Sequence, residues 1–195
     1  MDCASAHAAW FARLREGAPV LETARLRLQV PQITDFDRFA EMFADPATRH
    51  IGGPLTRGDA WRRFLQMPGA WMTQGFGMFS IIERSSGRFV GQAGPWHPDG
   101  WPGTEVGYAL HADGRGKGYA TEACEAAIDW AFEVLGWDEV IQSIDADNTA
   151  SQQVAMRLGA RNRGQGRYPP PLDTHAIDIW GQTRAEWQAR RTAAP

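Results

Sequence analysis

RGKGYA, residues 115–120, is the most informative stretch of this sequence. A strand-like run over residues 104–110 precedes it, and a long amphipathic run from about residue 119 to residue 135 follows it and predicts a helix. Glycines let a backbone approach an anion closely, and the first N–H groups of a helix are free to bind one. Arg115 and Lys117 add positive charge at the same point. The stretch therefore predicts a phosphate-binding turn between a strand and a helix.

Two well-known phosphate motifs do not fit this turn. A Walker loop requires Ser or Thr after its lysine, whereas Gly118 follows Lys117 here. The dinucleotide fingerprint requires a final glycine at the position that Thr121 occupies. The pattern that does fit is R-x-x-G-x-A, with Arg115, Gly118 and Ala120 at its defined positions.

The composition narrows the class of protein. With 195 residues, 43% hydrophobic and 22% charged, the chain has the make-up of a soluble globular domain. A formal net charge of −3 argues against a nucleic-acid binder that relies on bulk charge. Cys3 and Cys124 have neither CxxC nor metal-ligand spacing, so a reduced, cytoplasmic setting is expected. We expect no membrane association, because no apolar run approaches the roughly 20 residues that cross a bilayer and the N-terminus does not resemble a secretory signal.

The remaining patterns predict one domain over residues 1–195, with a core over about residues 22–180 and flanking terminal helices. Strands are predicted over residues 24–30, 77–83, 88–94, 104–110, 138–145, 161–167 and 174–180. Helices are predicted over residues 4–16, from residue 34 or 35, from residue 59 to near Pro68-Gly69, from about residue 119, from the cap Asn148, and over residues 182–193. The strand over residues 138–145 follows a crossover helix, so it should run parallel to the strand over residues 104–110.

The helix after the turn has two different sides. Its apolar stripe, which includes Ala123, Ala127 and Val134, is expected to face a sheet. Its other side carries acids that we expect to be solvated: Glu122, Glu125, Asp129 and Glu133.

Four segments occur in a fixed order along the chain. They are residues 105–108 (EVGY), 116–123 (GKGYATEA), 147–151 (DNTAS) and 156–160 (MRLGA). Together they resemble the GNAT superfamily of N-acetyltransferases, and in particular its branch of the RimJ/RimL type, in which R-x-x-G-x-A is the coenzyme A pyrophosphate loop. The resemblance implies an α+β GNAT fold, with a mixed, mostly antiparallel central sheet, a splayed parallel strand pair and flanking helices.

The resemblance also implies an activity and its partners. It implies an N-acetyltransferase that uses acetyl-CoA as co-substrate and transfers the acetyl group to a primary amine by direct attack. We expect the acceptor to be a protein N-terminus or a small amine such as a polyamine, amino acid or aminoglycoside. We also expect a monomer or homodimer, and no metal or nucleic acid. The residues implied to bind the cofactor are Leu110, His111, Arg115, Gly116, Lys117, Gly118, Tyr119, Ala120, Asn148 and Ser151.

Catalytic roles fall on two residues. Glu105 is the candidate general base, because it shares a strand face with the small residues Gly107 and Ala109. Ser151 is the candidate for contacting the CoA sulfur, since Ala155 stands where many relatives carry a tyrosine acid. The alternatives are an exposed strand glutamate for Glu105 and a helix-start cap for Ser151.

Trp96 and Trp101 are the candidate walls of the acceptor pocket, because they lie in a Pro- and Gly-rich stretch just before Glu105. The alternative is a surface turn whose tryptophans pack inward. Two rival functions also stay open: a non-catalytic acyl-CoA-binding sensor or scaffold of the same fold, and a nucleotide-phosphate binder that uses the glycine turn differently.

Overall fold

The computed structural model describes residues 16–193, and within them eight strands form one open sheet. The strands are β1 (Val20–Glu22), β2 (Leu26–Gln29), β3 (Phe79–Glu83), β4 (Arg88–Trp96), β5 (Glu105–Leu110), β6 (Glu139–Asp145), β7 (Arg161–Gly166) and β8 (Ile177–Thr183). Their spatial order is β1-β2-β3-β4-β5-β6-β8-β7. All neighbouring pairs are antiparallel except β5 and β6, which confirms the predicted mixed, mostly antiparallel sheet.

Five α-helices flank the sheet within the same residues. They are α1 (Phe36–Ala44), α2 (Arg57–Gln74), α3 (Tyr119–Glu133), α4 (Thr149–Arg157) and α5 (Arg184–Ala193). None of these helices has the length and hydrophobicity of a membrane-spanning segment. The helix predicted over residues 4–16 lies almost entirely outside the described residues.

The two faces of the sheet have separate cores. The helix α3 packs its alanine-rich side on one face, where Val90 and Val106 contribute from the strands. The helices α1 and α2 pack on the other face, against Phe89 and Ala109. Since side chains alternate between faces along a strand, the neighbours Phe89 and Val90 serve opposite cores.

The parallel strands β5 and β6 diverge after a single paired position. Glu105 lies opposite Ile141, and the Ile141 N–H donates to the Thr104 carbonyl at 2.9 Å. A gap therefore opens towards Leu110, where β5 ends beside the N-termini of α3 and α4. This splayed pair matches the predicted geometry and positions the cavities described below.

The helix α2 is longer than the sequence indicated. A stop near Pro68-Gly69 was expected, but the helix continues to Gln74 and ends at Gly75, which has a φ of +76°. Proline removes one backbone N–H from the helical ladder, a loss that packing can offset. Met67 and Ala70 are buried on either side of Pro68, and this packing accounts for the continuation.

Of the four acids of α3 that were expected to be solvated, Glu133 is exposed, whereas Glu122, Glu125 and Asp129 bind partners. Glu122 accepts hydrogen bonds from the Thr23 hydroxyl at 2.6 Å and from Arg25. Glu125 pairs with Arg190 of α5 at 3.0 Å. The expectation failed for these acids because Thr23 and Arg25, which precede β2, and Arg190 of α5 lie against this side of the helix.

One member of the predicted apolar stripe is also misplaced. Val134 is 63% exposed and is the C-cap residue that directly follows the end of α3 at Glu133. Ala123 and Ala127 are fully buried, as expected.

Candidate active site

Two cavities meet at the splayed end of β5. The first has a volume of about 430 Å³ and the second about 570 Å³, both within the range of small-molecule sites. His50, Ile51, Tyr108 and Ala109 line both of them. A ligand in one cavity can therefore reach a ligand in the other at this junction.

The glycine turn forms one wall of the second cavity. Gly116 and Gly118 have φ angles of +71° and +80°, a left-handed conformation that favours glycine. Gly118 is the N-cap residue of α3, so the free N–H groups of the first helical turn begin directly after it. Eight of the predicted cofactor residues line this cavity: Leu110, Arg115, Gly116, Gly118, Tyr119, Ala120, Asn148 and Ser151.

The cations of the turn are bound to carboxylates. Arg115 pairs with Asp45 at 2.8 Å and donates from Nε to the Leu110 carbonyl at 3.1 Å. Lys117 pairs with Glu83 at 3.2 Å and is not part of the cavity lining. This pairing leaves the backbone N–H groups and the helix dipole, rather than free cations, as the groups of the turn that could bind an anion.

His111 is the other predicted cofactor residue whose side chain lies outside the cavity lining. Its ring Nδ1 lies 3.1 Å from Nη2 of Arg38 and accepts the Asp113 N–H at 3.2 Å. Its backbone N–H donates to the Val90 carbonyl at 3.0 Å. His111 thus directly follows the end of β5, and its ring contacts Arg38 and Asp113 instead of lining the second cavity.

Asn148 and Ser151 begin α4 beside the turn. The Asn148 carboxamide oxygen accepts the Ser151 N–H at 3.2 Å, which confirms the predicted cap. The Ser151 hydroxyl is free of this bond and lies 3.2 Å from the Tyr108 hydroxyl. Ser151 therefore faces the junction of the cavities.

Tyr108 is a site residue that the sequence reasoning missed. Burial raises the pKa of its phenol above the ordinary value, so the hydroxyl keeps its proton near neutral pH. Ala155, at the position where the resemblance implies a tyrosine in many relatives, is fully buried. The signal that the sequence offered was the tyrosine at the end of the EVGY segment, which lies on the same strand as Glu105.

Glu105 lies in the first cavity and is buried, with 8% of its surface exposed. The alternative of a solvent-facing glutamate is therefore wrong. The Trp101 indole N–H donates to Oε2 at 2.7 Å. Burial raises the pKa of Glu105 to about 7, and the interactions with Trp101 and Ser143 oppose this effect without cancelling it.

Space beside this carboxyl group depends on Gly107. A Cβ atom at this position would lie 3.2 Å from Glu105 Oε1 and 3.1 Å from the Met78 methyl carbon. The glycine thus leaves the carboxyl group open to the first cavity.

Trp96 and Trp101 both line the first cavity. Trp96 belongs to the end of β4, which extends beyond the predicted residue 94, and it pairs opposite Glu105. Trp101 packs on Tyr168 with ring centroids 4.6 Å apart. Tyr168, from the segment between β7 and β8, is a wall residue that the sequence reasoning did not single out.

His50 is a further residue that the sequence reasoning missed. It lies in a 3-10 turn over Pro46–Ile51, and its Nδ1 is 3.0 Å from Asp145 Oδ2. The turn has no hydrophobic periodicity, so the sequence carries no signal that brings it to the junction. Within residues 16–193, no group of three or more metal-ligating side chains is arranged to hold an ion.

The arrangement combines three chemical capacities. The glycine turn can bind a phosphate, the Glu105 carboxyl group can exchange a proton near neutral pH, and the Tyr108–Ser151 hydroxyl pair can donate one at the junction.

A comparison with known proteins finds relatives of this chain. A family model described as an acetyltransferase (GNAT) domain matches residues 25–161. An uncharacterised N-acetyltransferase, p20, of Bacillus licheniformis is 28% identical over 164 residues, which cover 82% of this chain and 92% of that protein.

Solved structures give the same picture of the fold. An acetyltransferase from Agrobacterium tumefaciens superimposes with a TM-score of 0.75 at 30% identity, covering 85% of this chain and 95% of that one. A ribosomal-protein-S5-alanine acetyltransferase from Vibrio fischeri superimposes with a TM-score of 0.65 at 18% identity, covering 87% and 98%. The second likeness is one of fold alone.

Proposed function

The chain belongs to the GNAT superfamily and is an acetyl-CoA-dependent acetyltransferase, and on that premise we propose that its acceptor is a primary amine that attacks the thioester directly. The observation that carries the proposal is Glu105, a buried carboxyl group with a pKa of about 7 in a cavity that meets the glycine-turn cavity. An amine acceptor needs a proton acceptor at this position, and Glu105 has the chemistry to be one.

The cofactor is proposed to occupy the second cavity. Its pyrophosphate would be bound by N–H groups of residues 115–120, and its pantetheine arm would lie in the gap between β5 and β6. The left-handed glycines and the exposed first turn of α3 support the pyrophosphate position. The single paired position between the two strands supports the arm. The thioester would then reach the junction beside Tyr108.

The protonation of the acceptor explains the need for a base. An amine attacks only in its neutral form, which is about one in 2,500 molecules for lysine at pH 7 but about one in 6 for an α-amine. The nitrogen forms a bond to the acetyl carbon, the carbon–sulfur bond breaks, and the nitrogen loses a proton. Glu105, as the carboxylate, takes this proton directly or through a water molecule.

The leaving thiolate is proposed to receive a proton from the hydroxyl pair of Tyr108 and Ser151. The two oxygens are 3.2 Å apart, so the hydroxyl that gives its proton to the sulfur can be reprotonated by the other, and the pair then regains one proton from solvent. A thiolate whose parent thiol has a pKa near 8.5 departs readily, so this help is a modest part of the rate enhancement.

Within the family, we propose a place near the RimJ/RimL-like branch and a single domain over residues 1–195. The EVGY and GKGYATEA segments support the branch. The family match over residues 25–161, together with core clusters shared by distant elements, supports the single domain.

The test is a screen of N-terminal peptides and small amines with acetyl-CoA, followed by free-thiol release and by mass spectrometry of the acceptor. The expected result is an acetylated amine formed in step with free CoA. Tight acetyl-CoA binding with no acetylated product from any acceptor would instead identify a non-catalytic acyl-CoA-binding protein. Binding of ATP in preference to acetyl-CoA would contradict the cofactor assignment as well.

A further inference from the structure

Arg63 lines the same cavity as Glu105, from the helix α2 on the opposite side. Its Nη1 donates to the Ile51 carbonyl at 2.7 Å, and its guanidinium lies 4.5 Å from the centroid of the Phe43 ring. These contacts hold the side chain in place. A guanidinium has five N–H donors, so one carbonyl leaves most of them available to a ligand.

Arg63 differs from its neighbours in having no carboxylate partner among residues 16–193. Arg62 pairs with Asp59 at 2.7 Å, and Arg57 pairs with Asp37. Burial lowers the pKa of Arg63, and the nearby ionisable group is the phenol of Tyr168. A partly desolvated cation without a counter-ion favours an anion that enters its cavity.

Gln92 adds a second unpartnered group to this cavity. The residue is 5% exposed, and its carboxamide oxygen has no hydrogen-bond partner among the described residues. It pairs opposite Ala109, which lies four residues after Glu105, so the Gln92 and Glu105 side chains share one face of the sheet. An acceptor oxygen at this point suits an amine that approaches Glu105.

A series of contacts runs from Glu105 towards Arg63. Glu105 accepts from Trp101, Trp101 packs on Tyr168, and Tyr168 lies close enough to both Glu105 and Arg63 for each charge to act on the pKa of its phenol. The cavity lining therefore includes both a proton acceptor and a fixed cation.

We propose that the acceptor is a small amino acid-like molecule, whose carboxylate binds Arg63 while its amine points to Glu105 and Gln92. This inference rests on the proposed amine acetylation and specifies the acceptor class. A cavity of about 430 Å³ holds a molecule of this size. A guanidinium binds a carboxylate through two parallel hydrogen bonds, which gives orientation as well as affinity. Polyamines and aminoglycosides offer no anion to Arg63 and are disfavoured.

The test compares amino acids with their own carboxamides as acceptors. The expected kcat/KM is roughly 10- to 100-fold higher for the carboxylates, the value of one charge-assisted contact. The carboxamides have the less basic amines, so amine basicity alone would give the opposite order. Arg63→Met is expected to remove the ratio and Arg63→Lys to retain part of it. Arg57→Met, on the same helix but outside the cavity lining, should keep the wild-type ratio.

A binding measurement separates this inference from the proposed function. Binding of an N-acetyl amino acid and of its carboxamide to the CoA-saturated protein is followed by tryptophan fluorescence, and melting temperatures exclude unfolded variants. Preferential binding of the carboxylate, lost in Arg63→Met, supports the anion site even if no amine is acetylated. Equal binding or equal kcat/KM for the two acceptor types in the wild-type protein would overturn it.

Discussion

The carboxyl group of Glu105 is stabilised by a neutral donor rather than by a cation. The Trp101 indole N–H at 2.7 Å lowers the pKa less than burial raises it, which leaves a group that ionises near pH 7. A cation at this point would hold the carboxylate ionised and too weak a base to take a proton from an amine. The residue type at position 101 is therefore part of the chemistry.

The phenol of Tyr108 is the second residue whose surroundings define its role. Tyr108→Phe removes the hydroxyl while keeping the ring, and we expect kcat to fall about 10-fold with little change in the KM for acetyl-CoA. The fall is modest because a thiolate needs little proton donation to leave. Steady-state kinetics with varied acetyl-CoA would measure it.

Ser151→Ala is the matched control for Tyr108→Phe. It deletes the other oxygen of the pair but leaves the Asn148 cap, since that bond uses the Ser151 backbone N–H. A smaller loss of kcat is expected if the phenol is the final donor. A Tyr108→Phe enzyme with the wild-type kcat would remove the pair from the mechanism.

At the level of single residues, the sequence indicates which side chains could act, but it does not show what surrounds them in the folded protein. Glu105 was selected because small neighbours share its strand face, but its burial depends on Trp101 and on Tyr168, which arrives from a distant segment. Arg63 could not be separated from Arg62 by sequence, because two adjacent helical arginines differ only in which one meets a carboxylate.

The turn between β5 and α3 shows how an element acquires a function from its backbone. Gly118→Ala places a side chain on a φ of +80°, and we expect a loss of about 1 kcal/mol in stability. The strain is also expected to displace the first N–H groups of α3, so the Kd for acetyl-CoA should rise at least severalfold. Calorimetric titration and thermal unfolding would measure the two effects.

Gly136→Ala is a control with the same backbone strain. Gly136 has a φ of +72° after the end of α3 and is not in the lining of either cavity. It should lose similar stability and keep the wild-type Kd. Equal affinities for Gly118→Ala and the wild-type protein would contradict the anion-binding role of the turn.

Elements with strong periodicity were predicted well. The run β5, turn, α3 and β6 was read in order, including the parallel direction of β6, because each part carries local pattern and turn chemistry. The end of α2 and the cover over the acids of α3 were not predicted. Both depend on long-range packing, which a local window of sequence does not contain.

On the scale of the molecule, the two faces of the sheet have different roles. The face with α1 and α2 carries the first cavity, whereas α3 is covered by α5 on its outer side. Trp187 of α5 is 2% exposed, donates to Asp129 at 2.6 Å and packs under Arg190. It lines neither cavity, so its contribution is expected to be one of stability.

Trp187→Ala is expected to cost about 3–5 kcal/mol in the free energy of unfolding, the usual loss for a buried tryptophan. Below the melting temperature, the Kd for acetyl-CoA should stay unchanged. Trp187→Phe, which keeps much of the packing and loses the hydrogen bond, should cost less. Urea unfolding and calorimetric titration would test both variants. A higher Kd for acetyl-CoA in a folded variant would show instead that α5 contributes to the cofactor site.

Glu105 is proposed to accept the proton of the amine, and the measurement that tests this role is the pH dependence of kcat/KM for the acceptor in the wild-type protein and in Glu105→Gln. An acceptor whose amine stays neutral from about pH 5 to about pH 9 keeps the titration of that amine out of the profile. The carboxylate is the active form, so kcat/KM for the acceptor should fall about tenfold per pH unit below the pKa of about 7 and level off above it. Glu105→Gln should be slow with no such limb. A variant with the wild-type rate and the same limb would contradict the account and transfer the role to another group, such as His50.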